Sequence, residues 1–191
     1  MILTGYSEFT NDIVLVSYKD LENDFDLRKK YLHWLNDFEV VASIISPELM
    51  KIKDMSFIDE SFRRFTKENA QGFFIKHVPS NDYVGTIKLD KINRNNMNAE
   101  IGLMIGEKRL WGQKIGAKAV LILLKYAFEV LNLHKVIGGT EEHNIAMQKL
   151  FLRSGFKQEG RLRQENNING IFSDGFYYGI LKNEYLGKES V

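Results

Sequence analysis

The stretch Arg109-Leu110-Trp111-Gly112-Gln113-Lys114-Ile115-Gly116-Ala117-Lys118-Ala119 joins a strand-like run, Ala99-Glu100-Ile101-Gly102-Leu103-Met104-Ile105, to a long apolar segment. A turn of small residues at the start of a helix leaves several backbone N–H groups without an intrahelical acceptor. Those donors and the positive end of the helix dipole attract a phosphate or pyrophosphate. The candidate donors are Gly112, Gln113, Lys114, Ile115, Gly116 and Ala117. The ligand they suit is a nucleotide-like anionic cofactor.

Other chemistries fit the chain poorly. The four histidines, His33, His77, His134 and His143, lack metal-ligand spacing, so no metal is expected. Only three residues separate Gly112 from Gly116, and no Gly-Lys-Ser/Thr follows, so the turn is not a Walker loop. There is no Gly-x-Ser-x-Gly elbow. There is no cysteine, which excludes disulfides, thiolate catalysis and cysteine-bound metal.

The chain has 191 residues, which suits a single domain spanning 1–191. Apolar residues make up 44% and charged residues 27%, enough for a packed core. The formal net charge of +1 removes the electrostatic argument for a nucleic-acid partner. No apolar run approaches the roughly 20 residues that span a bilayer, so no membrane association is expected. The first residues do not read as a signal peptide, and with the lack of cysteine this gives a cytoplasmic expectation.

The elements that must position the turn can be read from periodicity. A first strand lies around Ile13-Val14-Leu15-Val16. Leu27, Tyr31, Trp34 and Leu35 recur at helical spacing in a segment starting near Asp26. A second helix is expected over 52–65. Strands at 73–78 and 83–89 flank the turn Pro79-Ser80-Asn81-Asp82 and form a hairpin. The strand 99–105 follows a polar loop at 93–98. The helix 115–131 shows only a narrow polar stripe of Lys118, Lys125 and Glu129, so it should be mostly buried against a sheet. A strand at 135–139 precedes a helix with Asn144 as N-cap and Gly155 as its stop. Two further strands, 156–163 and 170–181, surround an Asn-rich turn. The fold class is therefore α/β with a mixed, largely antiparallel sheet (α+β character).

At this point the residues resemble the GNAT acetyltransferase superfamily, over roughly 34–185. The strand–turn–helix 99–124 is similar to the family's acetyl-CoA motif. The run 144–156, from Asn144 to Gly155-Phe156, resembles its Asn-led helix. Glu159-Gly160-Arg161-Leu162-Arg163, then Asn169-Gly170 and Asp174, resembles the subgroup of ribosomal-protein N-terminal, spermidine and amino-sugar N-acetyltransferases, as does Asn132-Leu133-His134-Lys135. The family's turn reads Gln/Arg-x-x-Gly-x-Gly/Ala. Here Trp111 holds the first position and Lys114 stands where the central Gly is expected.

The resemblance implies a GNAT fold and an N-acetyltransferase with acetyl-CoA as co-substrate. Backbone groups of Leu103, Met104 and Ile105 would hold the pantetheine arm like an extra strand, and Asn144 would bond it. Glu100 is the candidate base, with a charged strand start as its plainer reading; His143 and Asp174 are weaker alternatives. A base is needed because a free alkyl ammonium has a pKa near about 10.4, so making it neutral at pH 7 costs roughly 4–5 kcal/mol. The family's usual acid, a Tyr, is replaced by Phe151, and Tyr177 and Tyr178 are the residues that could compensate. Lys149 and Arg153 suit CoA phosphates or a solvated helix face equally. Trp34, with Asp37 and Glu39 nearby, is the candidate acceptor-binding residue, with a core role as the alternative.

The expected partner is a small-molecule primary amine. The run Trp34-Leu35-Asn36-Asp37-x-Glu39-Val40 resembles acetyltransferases of surface-polysaccharide pathways and favours a nucleotide-linked amino sugar. A protein N-terminus is the runner-up acceptor, and a degenerate CoA-binding sensor is the reading from a different class. A homodimer is left open.

Overall fold

The computed structural model describes residues 2–4, 11–42, 44, 51–168 and 170–186. Its strands are β1 (Ile2–Thr4), β2 (Ile13–Ser17), β3 (Thr66–Lys67), β4 (Ala70–His77), β5 (Asp82–Asn93), β6 (Asn98–Ile105), β7 (Lys135–Glu141), β8 (Lys157–Ile168) and β9 (Ile171–Leu181). The helices are α1 (Phe25–Asn36), α2 (Phe38–Val41), α3 (Met55–Phe65), α4 (Ile115–Lys125), α5 (Ile145–Arg153) and α6 (Lys182–Leu186). The sheet runs β1-β2-β4-β5-β6-β7-β9-β8, and β3 pairs with β4 off this path. Every pairing is antiparallel except β6 with β7.

Strand alternation builds a core on each face of the sheet. On β4, Phe73 joins the core of α4 and α5, while Phe74 joins that of α1 and α3. The same rule sorts β6. Ala99, Ile101, Leu103 and Ile105 pack on the α4 side, and Met104 packs on the other. In the second core Tyr18 stacks on Phe74 with centroids 4.5 Å apart. Trp34 is part of this core, at 3% exposure.

The helices start where side-chain oxygens meet orphan amides. The Asp24 carboxylate accepts from Leu27 N–H at 2.9 Å and opens α1 at Phe25, one residue before the expected Asp26. The Asp54 carboxylate accepts from the Ser56 and Phe57 amides, so α3 begins at Met55 rather than at 52. The expected helix 115–131 is α-helical only to Lys125. Tyr126–Val130 widen into a π-turn, in which Leu131 N–H donates to the Tyr126 carbonyl at 3.0 Å. That widening keeps Tyr126, Ala127 and Phe128 all buried.

Candidate active site

Strands β6 and β7 pair over only three residues, Asn98↔Lys135, Ala99↔Val136 and Glu100↔Ile137. Beyond Glu100, no described strand pairs with β6 on this side. Alternate backbone N–H and C=O groups of 101–104 are therefore open to an extended ligand. The gap forms a cavity of about 300 Å³. Ile101, Gly102 and Leu103 line one wall, and Gly139, Thr140 and Glu141 the other. Asn144 and Met147 of α5 lie along it, and Glu165, Asn166, Gly175 and Tyr177 reach it from the β8–β9 hairpin.

The turn after β6 is built by two left-handed residues, Gly112 at φ +76° and Lys114 at φ +62°. Lys114 is the N-cap of α4 and makes no side-chain capping bond. The first amides of α4, on Ile115, Gly116 and Ala117, lack intrahelical acceptors by helix geometry. Lys114 thus takes the backbone shape that a glycine would, at a cost of about 1–2 kcal/mol for its β-carbon. The Trp111 indole N–H donates to the Ile105 carbonyl at 2.9 Å and ties the turn to the strand. The Gln113 side chain closes the loop on the Arg109 carbonyl at 2.9 Å. Gly116 has a packing reason as well: a β-carbon there would lie 3.0 Å from both Leu103 and Leu150. Asn144 accepts from Met147 N–H at 3.0 Å as the cap of α5 and also lines the cavity.

The remaining candidates separate. Glu100 lies next to the point where the strands part, but its carboxylate is paired with Lys91 at 3.0 Å and 46% of its side chain is exposed. Trp34 does not line the cavity. Its ring fills the space over Gly106, where a β-carbon would lie 2.1 Å from the indole, and its N–H points to Glu107 at 3.4 Å. Asp37 and Glu39 both pair with Lys108. Phe151 is fully buried, as is Tyr178 beneath it. Tyr177 lies on the opposite face from Tyr178 and lines the cavity. His143 and Asp174 do not line it.

Two groups of the lining, Tyr177 and Glu141, give the cavity its electrostatics, and Lys88 lies outside it. Tyr177 donates to Glu165 Oε1 at 2.6 Å, and that bond, with burial, pushes its phenol up to about 12. Glu141 is 4% exposed, and neither carboxylate oxygen has a hydrogen-bond partner of good geometry. Burial pushes its pKa up, opposed by Ser173 and His143. Lys88, whose chain passes over Gly102, has its pKa lowered by burial. Sequence reading missed Glu141, Glu165 and Gly175, because the pairing that brings them together is long-range. Among the described residues no cluster of His, Asp or Glu is arranged to hold a metal. No described helix is long and apolar enough to cross a membrane.

A model of the acetyltransferase (GNAT) domain matches residues 20–157, which include the splayed strands and the turn. The chain belongs to the GNAT acetyltransferase family. It is 28% identical over 163 residues to the spermidine N(1)-acetyltransferase of Vibrio cholerae, covering 85% of this chain and 91% of that one. It is 35% identical over 105 residues to YdaF of Bacillus subtilis, a putative ribosomal N-acetyltransferase, covering 55% and 57%. The solved structure of the Vibrio cholerae spermidine N-acetyltransferase with CoA and spermine has a similar fold, with a TM-score of 0.78 and 21% identity over 92% of this chain and 98% of that one. As a GNAT acetyltransferase, the chain has its Asn-capped helix along the splay, and its amide-rich turn packs beside it, with Gly116 against Leu103 of the cavity wall.

Proposed function

We propose that this GNAT acetyltransferase transfers acetyl from acetyl-CoA to the primary amine of a small molecule by direct attack. The observation that carries the reading is the arrangement around the splayed strands. An amide-rich helix start suited to a diphosphate follows β6 and packs on Leu103, β6 itself presents an open strand edge, and the cavity between β6 and β7 is lined by carboxylates. Those features fit acetyl-CoA. The amides of 114–117 would hold its diphosphate, and the 101–104 edge with Asn144 would hold its amide-bearing arm. Bound there, the co-substrate supplies an activated acetyl thioester.

The chain's own residues then have to bind an ammonium, strip its proton and keep the nitrogen aimed. Glu141 and Glu165 make the acceptor end acidic. That lining supports a small cationic amine over a nucleotide-linked amino sugar, whose phosphates would meet the same carboxylates. The similarity to the spermidine enzyme points the same way. With Phe151 in the position of the family's usual acid, the departing sulfur is protonated from solvent.

A second reading, a protein N-terminus as acceptor, draws on the similarity to YdaF. Free-thiol release measured with spermidine, a nucleotide-linked amino sugar and an N-terminal peptide separates the acceptors. Turnover confined to the peptide would overturn the small-molecule reading. Thermal stabilisation by acetyl-CoA without thiol release on any amine would instead indicate a CoA-binding sensor. A chain that is not stabilised by acetyl-CoA would overturn both. The cytoplasmic and homodimer expectations belong to the same proposal, and analytical ultracentrifugation tests the latter.

A further inference from the structure

Between β8 and β9 the ladder breaks. Leu162 pairs with Gly175 and Asn166 with Ser173, so Arg163, Gln164 and Glu165 stand opposite the single residue Asp174. Bulges of this kind re-aim side chains. Gln164 takes φ +55°, and its N–H donates to the Asp174 carboxylate at 2.8 Å. Arg161 donates to the other Asp174 oxygen. These bonds hold the Asp174 carboxyl below its usual range and fix the bulge.

The bulge turns Glu165 back across the sheet. Its Oε2 lies only 1.7 Å from where a β-carbon on residue 175 would be, so the carboxylate fits because that residue is glycine. Its Oε1 accepts from Tyr177, whose ring packs on Gly139. All four residues lie at the cavity. Glu141, paired with Gly175 in register, brings a second carboxylate to the same place, buried and with neither oxygen hydrogen-bonded. Glu100, by contrast, already has Lys91 as its counter-ion.

We propose that Glu165, seated over Gly175 and held by Tyr177, is the carboxylate that receives the acceptor's ammonium and takes its proton. The inference rests on the acetyl-transfer reading and names the residue that acts in it. The N–H bond of the ammonium breaks and an O–H bond forms on Glu165. The freed nitrogen pair attacks the thioester carbonyl, the C–S bond breaks, and the nitrogen gives up its second proton to water while the thiolate takes one from water. Glu165 returns its proton to solvent. Tyr177 is a positioning residue. The titratable groups beside Glu165 at the cavity are Tyr177 from β9 and Glu141 from β7; Glu100 from β6 acts on Tyr177, and His143, in the turn after β7, acts on Glu141. Arg161 and Arg163 on its own strand are drawn to Asp174.

The test uses the full chain and spermidine, or whichever amine of the panel above it turns over. E165Q should lower kcat/KM at pH 7 by roughly 100-fold, with partial recovery at high pH. G175A keeps the carboxylate but displaces it, and should lose a similar factor; the double variant should lose no more than E165Q alone. E100Q should lose less than about threefold. Calorimetry should show unchanged CoA affinity in all variants and weakened spermidine binding to CoA-loaded E165Q. An ultraviolet difference titration should show the Tyr177 phenol of E165Q falling back from about 12. E165Q activity within threefold of the parent, or a larger loss in E100Q, overturns the assignment. So does full additivity of E165Q and G175A. Lack of CoA binding by the parent would instead be a failure of the underlying acetyl-transfer reading.

Discussion

The rings of Phe151 and Tyr178 are stacked, with centroids 5.2 Å apart and planes inclined by 28°. Both are buried, and the tip of Phe151 points at the backbone of Gly138, where a β-carbon would be 2.3 Å from Cζ. A hydroxyl added at that tip has no room. F151Y should therefore not act as a restored acid. It is expected to destabilise the fold by about 1–3 kcal/mol through overpacking and to leave kcat unraised. Thermal unfolding and steady-state rates measured on one preparation check this, and a kcat gain at unchanged melting temperature would contradict it.

Lys114 holds a left-handed backbone that costs about 1–2 kcal/mol with a β-carbon, whereas glycine adds about 0.5–1 kcal/mol of unfolded-state entropy. The two nearly offset, so K114G should change stability by no more than about 1 kcal/mol. If backbone amides dominate the diphosphate contact, CoA affinity should stay within about threefold. A tenfold loss would assign about 1.4 kcal/mol to the ammonium, and calorimetry distinguishes the two.

The elements legible in the sequence are those set by local pattern. Phe73 and Phe74 divide between two cores as alternation requires. Asn144 caps α5, and Gly155 ends it at φ +96°. Boundaries shifted where a cap lay outside the apolar pattern, as at Asp24 and Asp54. The short β1, α2 and α6 carry too few residues to show a period. At the site, the turn at 112–117 was visible because its chemistry is contiguous. The position of Glu165 was not, because it depends on a three-residue bulge and on a glycine ten residues away. Trp34 reads alike as an acceptor plate or as core from its neighbours in sequence; only its contact with Gly106 places the ring.

Gly116 is a poor place to probe the diphosphate contact, because any side chain there meets Leu103 and Leu150. Gly112 is better, since nothing lies within 4 Å of its missing β-carbon. Its φ of +76° is one that Asn and Asp tolerate better than other residues. G112D should weaken CoA binding by roughly tenfold or more through like-charge repulsion, with less effect at high salt. G112N controls for backbone strain. Equal affinities for the two variants would show that the diphosphate does not lie at this turn.

Glu141 makes a prediction in pH. Burial raises its pKa in the folded chain, so the folded state favours the protonated form. The sign follows: its contribution is favourable below the ordinary carboxylate range and becomes a penalty as pH rises through the folded value. E141Q removes the charge and keeps the shape. It should stabilise the protein by about 1–2 kcal/mol at pH 7–8, raising the melting temperature by roughly 2–8 °C, and should have little effect near pH 4. The acid-side loss caused by Asp174, whose pKa is lowered by the Gln164 amide and Arg161, is common to both proteins and cancels in the difference. Melting curves of the pair across this range give the answer directly. A destabilised E141Q at pH 8 would mean that the Glu141 carboxylate is charged and paired in the folded chain.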